Sequence, residues 1–379
     1  MNPRLRVYIF AGIFLFIALI ILIKIFFEEE KFDVLVVSLD SKEKTSKECL
    51  SNLQSVSIPV PALIIDKTVL KAIYQENCEH IFERKIKIGI DKRNWKLIAN
   101  HNESSIFECI RMENKTSNDY LQFDTQPARA VLKNFNTFSI GNLHIPSNIP
   151  LFLKMWERSE IRGCLNLIVH RNMTKSQQFN HGKEAAEKLA EFRDVLLTFN
   201  MFAFLNGGTL LGWYRECGFI PHTADIDLAM FAEDFHPEIT HFLLSRTSSF
   251  QLLRSLGMLN DSYELTVTPK TGYIVNMDLF LMYKDVHKNG SVINWVGGAS
   301  NDIKYKYTYP AYDPWCAADL HGHLFWVTCS PQKMLVFEYG NLWYEDHPSS
   351  QYDWRSTAKN VRTNGLWSDV ELKNVSKLY

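Results

Sequence analysis

The chain has 379 residues, of which 46% are hydrophobic and 22% are charged, and its formal net charge at pH 7 is −1. This length allows one large or two ordinary domains, and the composition is typical of a globular protein. A net charge near zero provides no overall field that would attract nucleic acid, so nucleic acid is excluded as an expected partner and any phosphate binding must be local.

The N-terminus predicts a membrane anchor. Arg4 and Arg6 precede an apolar run at 7–27 that a single lysine interrupts, and three glutamates at 28–30 follow. The run is longer than the apolar core of a cleaved signal peptide and lacks a small-residue cleavage site, which favours an uncleaved anchor over a removed signal. The basic residues place the tail, 1–6, in the cytosol and the rest in the lumen. We therefore expect a single-pass type II membrane protein of the Golgi apparatus or the endoplasmic reticulum.

Sequons and cysteines agree with a lumenal location. Six Asn-x-Ser/Thr sequons occur between Asn102 and Asn374, and in a lumenal chain such sites become glycan acceptors. All seven cysteines lie beyond the predicted anchor, between Cys49 and Cys329, where disulfides persist. The odd count leaves at least one free thiol or an intermolecular bridge. The chain has no CxxC spacing, so a structural zinc site is not suggested.

The segment 28–145 predicts a stem and an N-terminal accessory domain without a catalytic constellation of its own. The stretches FDVLVVSL and VPALIIDKTVLKAI predict a buried strand and an apolar stretch leading into a helix. The turn-forming sequence SIGNLHIPSNIP marks the boundary to a catalytic domain over 146–379. At the start of that domain, 181–200 has apolar residues at helical spacing and predicts an amphipathic helix.

The stretch 205–230 carries the main chemical motif of the chain. An apolar run predicts a short strand, after which Gly207, Gly208 and Thr209 open a short helix. Because glycine has no Cβ, backbone N–H groups at this helix start could approach a phosphate closely. The alternative is a glycine turn that merely reverses the chain.

Two aspartates of the same stretch predict a metal site. Asp225 and Asp227 lie two positions apart on a predicted apolar strand, so both carboxylates emerge from one face. Such a pair is unfavourable unless a cation neutralises it, and carboxylates suit Mg²⁺ or Mn²⁺. Asp278 stands alone among apolar neighbours in a second predicted strand, 273–282, and would complete the metal site. The three acids predict phosphoryl or nucleotidyl transfer.

Other polar residues near this motif leave alternatives open. Arg215 could bind a diphosphate through its paired donors, or it could be a surface arginine. Cys217 is expected to be a packing or disulfide cysteine rather than a nucleophile, because the sequence places no base beside it. Glu264 lies on a predicted strand that pairs with the Asp278 strand through a hairpin. It is either an acid near the site or a surface glutamate.

A later strand is defined by the sequence KYKYTYP. Lys304 and Lys306 alternate with three tyrosines, so the lysines share one strand face and the aromatic rings share the other. Either the lysine face is solvated and the tyrosine face packed, or the lysines bind a donor phosphate and an aromatic ring contacts a base or sugar. The segment 316–379 holds four tryptophans, which suit either sugar stacking or structural packing.

The ordered set of motifs resembles the nucleotidyltransferase-fold phosphotransferases of the LicD and fukutin group. The resemblance rests on GGT (207–209), LGWYR (211–215), DxDL (225–228) and DLF (278–280), with similar stretches at 60–70, 304–310 and 364–367. It implies an α/β (α+β) fold with a nucleotidyltransferase-like mixed β-sheet and flanking helices. The chain departs from the pattern at Ala224, where the fukutin pattern has a lysine directly before the aspartate pair.

The resemblance also implies an activity. Fukutin-like proteins transfer ribitol 5-phosphate from CDP-ribitol to a mannose-linked glycan, and LicD-like ones transfer phosphocholine. The resemblance therefore implies transfer of an alditol- or alcohol-phosphate, of the ribitol 5-phosphate type, from a CDP-linked donor to a hydroxyl of a protein-linked glycan in O-mannosyl-type glycosylation. Other Golgi glycosyltransferases are then expected partners, beside the glycoprotein acceptor. The alternatives are phosphocholine transfer, transfer of the whole nucleotide, and a catalytically silent glycan-binding or scaffold protein. Together, motif and resemblance assign metal binding and catalysis to three acids and donor binding to six residues: Asp225, Asp227 and Asp278; Gly207, Gly208, Thr209, Arg215, Lys304 and Lys306.

Overall fold

The computed structural model describes the chain from residue 53 onward, with several gaps. The described residues are 53–54, 58–75, 77, 83–98, 106–171, 178–179, 181–313 and 315–379. The predicted anchor at 7–27 and the predicted strand FDVLVVSL therefore lie outside the described residues, as do the sequons at Asn102 and Asn172. Within the described part, no helix is both long enough and apolar enough to cross a membrane.

The helices and strands alternate along the described chain. The α-helices with defined bounds are α1 Lys67–Gln75, α2 Ile149–Glu157, α3 Lys183–Thr198, α4 Gly207–Glu216, α5 Glu238–Leu244, α6 Pro331–Tyr339 and α7 Asp369–Val375. Short 3₁₀ helices occupy Lys92–Leu97, Ala232–Asp234 and Ser349–Gln351. The strands are β1 Ala62–Ile64, β2 Ile86–Asp91, β3 Phe107–Glu113, β4 Tyr120–Phe123, β5 Arg129–Leu132, β6 Thr137–Ile140, β7 Leu143–Pro146, β8 Glu160–Arg162, β9 Phe204–Leu205, β10 Asp225–Phe231, β11 Phe250–Met258, β12 Asp261–Pro269, β13 Asn276–Val286, β14 Val292–Ser300, β15 Ile303–Pro310, β16 Cys316–Leu320, β17 His323–Val327, β18 Val361–Leu366 and β19 Ser376–Leu378.

The strands that carry the predicted motifs lie side by side in a mixed sheet. β10 pairs parallel with β13, which pairs antiparallel with β12, and β12 continues antiparallel into β11. On its other edge β10 pairs antiparallel with β9, and β9 pairs parallel with β17. The second half of β13 pairs with β14, which is followed by β15 and β18. These pairings confirm the predicted mixed α/β architecture with flanking helices.

The N-terminal strands join this sheet through β8. β1 pairs with β2 and β7, β2 pairs parallel with β3, and β3, β4 and β5 follow as an antiparallel series. β8 then pairs with β5 on one side and with β16 on the other. By its contacts the stretch Lys44–Tyr379 is one compact unit. The predicted boundary between 145 and 146 falls at the end of β7, and it stays a prediction.

Buried hydrophobic side chains of the described residues form two large core clusters and a small third one, and one of the large clusters lies behind the candidate site. In α3 the buried face includes Ala185, Leu189, Phe192 and Leu196, which confirms the amphipathic helix predicted for 181–200. This face belongs to the same cluster as the apolar residues of β10 and β13. Burying one Leu or Phe side chain contributes about 1.5–3 kcal/mol. The helix therefore holds the strands that carry the acids in a fixed position.

Candidate active site

The three predicted acids meet on neighbouring strands. Asp227 of β10 lies directly beside Asp278 of β13 in the parallel register, and Asp225 lies two residues earlier on the same face of β10. One carboxylate oxygen from each residue lies within 4.8 Å of the other two. The sequence therefore placed these side chains correctly, because the i, i+2 rule and the adjacent strand put all three on one face.

Asp278 is fixed by the strand on its other side. Thr266 lies opposite Asp278 in the β12–β13 ladder, and its hydroxyl donates a hydrogen bond of 2.5 Å to Asp278 Oδ1. The Asp278 side chain has little room, since only 9% of the residue surface is exposed. Its free oxygen is thereby directed toward the other two acids.

The glycine loop between β9 and α4 holds Asp227. The backbone N–H of Gly208 donates to Asp227 Oδ2 at 3.2 Å, and the Asp227 N–H donates to the Thr209 hydroxyl at 2.7 Å. Gly207 has a φ of +50°, and a Cβ there would lie 3.1 Å from Asp227 Oδ2. A side chain would thus crowd the carboxylate in a conformation that glycine accepts most easily. The loop therefore directly supports Asp227, one acid of the predicted metal site. The contact of the loop with phosphate stays a prediction.

The acids perturb one another strongly. Burial raises the pKa of Asp227 well above its usual value, and the nearby charges of Asp225 and Asp278 raise it further. Burial also raises the pKa of Asp278 to about 6, with a further contribution from Asp225. Carboxylates in such proximity favour either a shared proton or a cation. Three oxygen donors of this kind fit Mg²⁺ or Mn²⁺.

The acids open into a cleft of about 630 Å³, a size suited to a small ligand or nucleotide. Gly207 and Gly208 line the cleft beside the acids, and so do Arg215 and Arg254. Aromatic and acidic side chains from β15, α6 and the segment after α6 form another part of its lining: Tyr307, Tyr309, Glu338, Tyr339, Tyr352 and Trp354.

Arg254 of β11 is a cation beside the acids that sequence reasoning missed. Its Nη2 donates to Glu264 Oε1 at 2.6 Å and to the Thr266 hydroxyl at 3.1 Å, while its buried Nε has no hydrogen-bond partner among the described residues. The same hydroxyl of Thr266 reaches Asp278. An arginine within a largely apolar strand was the available signal, but its strand partner could not be identified without the register.

Glu264 is a buried acid at the site, which excludes the surface alternative. Only 6% of its surface is exposed, and it contacts Arg254 and Thr266. Burial raises its pKa to about 7, and the charge of Asp278 adds to this shift. Glu264, Arg254, Thr266 and Asp278 therefore form one hydrogen-bonded group at the edge of the acid cluster.

Arg215 is buried rather than on the surface. It is 1% exposed, its Nε and Nη2 donate to Glu216, and its Nη1 donates to the carbonyls of Trp343 and Glu345. These contacts use most of its N–H groups. In this conformation Arg215 ties α4 to the segment after α6, although its side chain also lines the cleft.

Lys304 and Lys306 lie on β15 but are not brought to the acids. Lys304 forms an ion pair with Asp261 at 2.9 Å, and Lys306 forms one with Asp285 at 2.6 Å. Neither lysine lines the cleft, whereas Tyr307 of the same strand does. The predicted alternation of faces is therefore present, but the tyrosine face meets the cleft and the lysine face does not.

A disulfide fixes the end of the helix that begins with the glycine loop. Cys217, which caps α4 in the left-handed conformation, is bonded to Cys164. A second disulfide joins Cys316 to Cys329 across the β16–β17 hairpin. Cys217 is thus a disulfide cysteine, as expected from the sequence. Among the described cysteines, Cys109 is the free thiol.

Comparisons with known proteins give matches to both halves of the chain. A family model for the W02B3.4-like N-terminal domain matches residues 48–163, and one for the LicD/FKTN/FKRP nucleotidyltransferase domain matches residues 200–330. The second range contains the glycine loop and the three acids. Glu338 and the aromatic residues that follow it lie beyond that range.

Relatives among characterised and uncharacterised proteins agree with these matches. The uncharacterized protein W02B3.4 of Caenorhabditis elegans is 46% identical over 337 residues, which are 87% of this chain and 85% of that protein. The ribitol-5-phosphate transferase FKTN is 31% identical over 224 residues in Mus musculus and 30% identical over 222 residues in Homo sapiens. Each of these FKTN matches covers 58% of this chain and 45% of the relative. The chain therefore matches less than half the length of FKTN.

Proposed function

Because the chain belongs to the W02B3.4-like family and carries the LicD/FKTN/FKRP nucleotidyltransferase domain, we propose that it transfers an alditol- or alcohol-phosphate from a CDP-linked donor to a glycan hydroxyl. Ribitol 5-phosphate is the first candidate, since FKTN is named as a ribitol-5-phosphate transferase. The observation that carries the proposal is the cluster of Asp225, Asp227 and Asp278 in a cleft of nucleotide size.

The three acids would hold the divalent cation. Mg²⁺ or Mn²⁺ bound there would supply positive charge to offset the charge of the donor diphosphate and of the departing CMP. Thr266 orients Asp278, and Gly208 and Thr209 orient Asp227, so the ligand oxygens need little rearrangement. Such preorganisation is the main contribution that a protein makes to phosphoryl transfer.

Arg254 would bind a phosphate oxygen of the donor. Its Nε has no partner among the described residues and its Nη2 is held by Glu264 and Thr266, so the guanidinium is oriented at the cleft. A guanidinium matches phosphate oxygens with paired donors. Arg254 takes the place that sequence reasoning gave to Lys304 and Lys306, which are occupied by other acids.

In the proposed reaction, the acceptor hydroxyl attacks the phosphorus that bears the alcohol. A new P–O bond forms to the acceptor oxygen, the bond from that phosphorus to the bridging diphosphate oxygen breaks, and CMP leaves. The hydroxyl proton passes to a carboxylate, for which Asp278 is the candidate base. The proposed setting is the lumen of the Golgi apparatus or endoplasmic reticulum, with the N-terminal segment as membrane anchor and Golgi glycosyltransferases as partners.

A donor panel tests this function. Purified protein with Mg²⁺ or Mn²⁺ is given CDP-ribitol, CDP-glycerol, CDP-choline or a nucleotide sugar, and CMP release and acceptor modification are measured together. We expect a CDP-linked alcohol to be consumed and the nucleotide sugar to be refused. Preference for the nucleotide sugar would mean that the fold is shared with the family and the substrate is not. Binding without turnover of any donor would favour a silent glycan-binding protein.

A further inference from the structure

One part of the cleft lining takes no part in the mechanism above. It consists of Tyr307 from β15, Glu338 from α6, and Tyr352 and Trp354 from the segment after α6; we call these four residues the aromatic wall. We propose that the aromatic wall binds a neutral sugar ring of the acceptor, with the Glu338 carboxylate accepting hydrogen bonds from sugar hydroxyls. This inference rests on the proposed function and names the acceptor subsite of the same cleft.

Glu338 has the environment of a ligand-binding acid. It lines the cleft with only 6% of its surface exposed, and its Oε2 accepts a hydrogen bond of 2.8 Å from the Tyr309 hydroxyl. Among the described residues no Lys, Arg or His forms an ion pair with it. A buried carboxylate without a cation is unfavourable in a purely structural role. Hydroxyl groups of a ligand would satisfy its remaining acceptor positions.

A tyrosine hydroxyl already bonds this carboxylate, which indicates the ligand chemistry. Tyr309 donates to Glu338. Neutral O–H donors are the groups that a saccharide also presents, whereas a phosphate would bring a second negative charge. Burial raises the pKa of Glu338 to about 7.

Trp354 supplies a flat apolar surface in the same cleft as this acid. Its residue surface is 39% exposed, and its ring packs edge-on against Tyr305 with centroids 5.2 Å apart. The Tyr307 hydroxyl donates to the Trp354 carbonyl, which fixes the segment to β15. A Cβ at Gly298 would lie 2.9 Å from the Trp354 ring, so the ring rests directly on the β14 backbone. Aromatic rings with hydrogen-bonding groups beside them suit the apolar face and polar edge of a sugar.

The aromatic wall and the three acids line the same cleft. An acceptor hydroxyl must reach the phosphorus bound at the acids. The cytosine base of a CDP donor is separated from that phosphorus by a ribose and a second phosphate. Proximity to the acids therefore favours the acceptor sugar over the base as the ligand of Glu338.

The test uses Glu338→Gln and Trp354→Ala in the full chain, with Phe337→Ala as a control on the exposed face of the same helix. With the CDP-linked donor at saturation, the acceptor KM should rise about tenfold or more in both variants. Glu338→Gln weakens the hydrogen bonds from the sugar to a charged group, and Trp354→Ala removes the surface on which the sugar stacks. The donor KM should change much less than the acceptor KM, because these side chains would contact the acceptor and not the donor. The control should leave both constants unchanged.

Ligand-observed NMR separates this inference from the proposed function. A panel of neutral methyl hexosides and N-acetylhexosaminides is titrated into donor-free protein, together with the matching sugar 6-phosphates. We expect binding of a neutral glycoside that both variants weaken and Phe337→Ala does not. Glycoside binding without use of any donor would contradict the proposed function and leave this inference standing. A donor KM raised as much as the acceptor KM in the two variants, or glycoside binding that neither variant changes, would overturn the inference.

Discussion

Asp227 is the residue on which the candidate site depends most. It lies beside Asp278 in the register, accepts the Gly208 N–H, and shares one face of β10 with Asp225. The pKa of Asp227 is raised by burial and by the neighbouring acids, so its ionised form is disfavoured when no cation is bound. The protein would therefore hold an unfavourable charge cluster that a metal ion relieves.

This charge cluster predicts opposite effects of one substitution with and without metal. In the presence of a chelator, Asp227→Asn should raise the free energy of unfolding by about 1 kcal/mol or more, because it removes the charge repulsion between Asp227 and the neighbouring acids. Mg²⁺ or Mn²⁺ at about 100 times its Kd should stabilise the wild type by about 2.7 kcal/mol and the variant far less. Thermal and urea unfolding measure both effects. Asp285→Asn, outside the cleft, is the control. If the metal stabilised the wild type and Asp227→Asn equally, that result would count against the site.

The two loop glycines predict unequal responses to alanine. Gly207 has a φ of +50° and lies against the Asp227 carboxylate, whereas a Cβ at Gly208 would make an ordinary contact at 3.5 Å. Gly207→Ala should lower the free energy of unfolding by about 1 kcal/mol and reduce transfer. Gly208→Ala is the matched control and should be tolerated better, since the φ of Gly208 does not lie in the left-handed region. Equal effects in urea unfolding and in transfer rate would show that the loop conformation does not matter.

Individual residues show where sequence reasoning succeeded and where it could not. Asp225, Asp227 and Asp278 were placed correctly because strand periodicity fixes the face of each side chain. Lys304 and Lys306 were not, because their partners Asp261 and Asp285 come from other strands and only the register brings them together. The sequence indicates that both lysines lie on one face of the strand. It does not indicate which acids of the neighbouring strands lie opposite them.

At the scale of elements, α6 brings a buried acid to the cleft. Tyr309 from β15 donates a hydrogen bond to Glu338. Tyr339, Tyr352 and Asp227 are titratable groups that line the same cleft. The helix sequence PQKMLVFEY has no strongly amphipathic pattern. Glu338 could not be identified as a cleft residue from the sequence, because its role depends on how α6 packs against β15.

The raised pKa of Glu338 predicts a pH-dependent stability. Because the pKa rises from 4.5 to about 7 on folding, the native state binds more protons than the unfolded state between these values. The contribution of this group to stability must therefore fall as pH rises from about 4.5 to about 7, and it stays constant above. In the presence of a chelator, the free energy of unfolding of Glu338→Gln relative to that of the wild type should increase by about 2 kcal/mol between pH 5 and pH 8. Urea unfolding measures this difference. An exposed control, Glu187→Gln, should show no such change, and a pH-independent difference for Glu338→Gln would refute the assignment.

The two disulfides predict different losses of stability. Cys164–Cys217 closes a chain separation of 53 residues, and Cys316–Cys329 closes one of 13. In the chain-entropy account, replacing both cysteines by alanine should cost about 4 kcal/mol for the first bridge and about 3 kcal/mol for the second. Urea unfolding of the two double variants measures this order, and Cys109→Ala should change stability by less than either. A larger loss for the short bridge would contradict the entropic account.

Several elements were predictable because their patterns are local. The helix over 181–200 and the strands around Asp225 and Asp278 follow from apolar periodicity, and the structure confirms α3, β10 and β13. The strand predicted from the apolar run before the glycine loop is only Phe204–Leu205, and residues 201–203 of the run lie outside it. Strand pairing, such as that of β8 with both β5 and β16, joins distant parts of the chain and carries no local signal.

At the scale of the whole molecule, one sheet joins the two matched halves. The W02B3.4-like half and the nucleotidyltransferase half meet at β8, and the acids, Arg254 and the aromatic wall all belong to the C-terminal side of that junction. One large core cluster combines residues of the N-terminal strands with residues of the C-terminal half, such as Phe204 and Trp326. The predicted anchor and lumenal topology lie outside the described residues and remain proposals.

The central claim is that the three acids support metal-dependent transfer of an alcohol-phosphate. The most direct measurement supplies a CDP-linked alcohol with separate labels in the cytidine, the alcohol and the phosphorus next to it. We expect the alcohol and its phosphorus to reach the glycan acceptor together while the cytidine label leaves as CMP. Chelation, or Asp225→Asn with Asp227→Asn in a folded protein, should reduce this transfer by on the order of 100-fold or more. Cytidine label in the acceptor, or undiminished transfer by the folded double variant, would contradict the account.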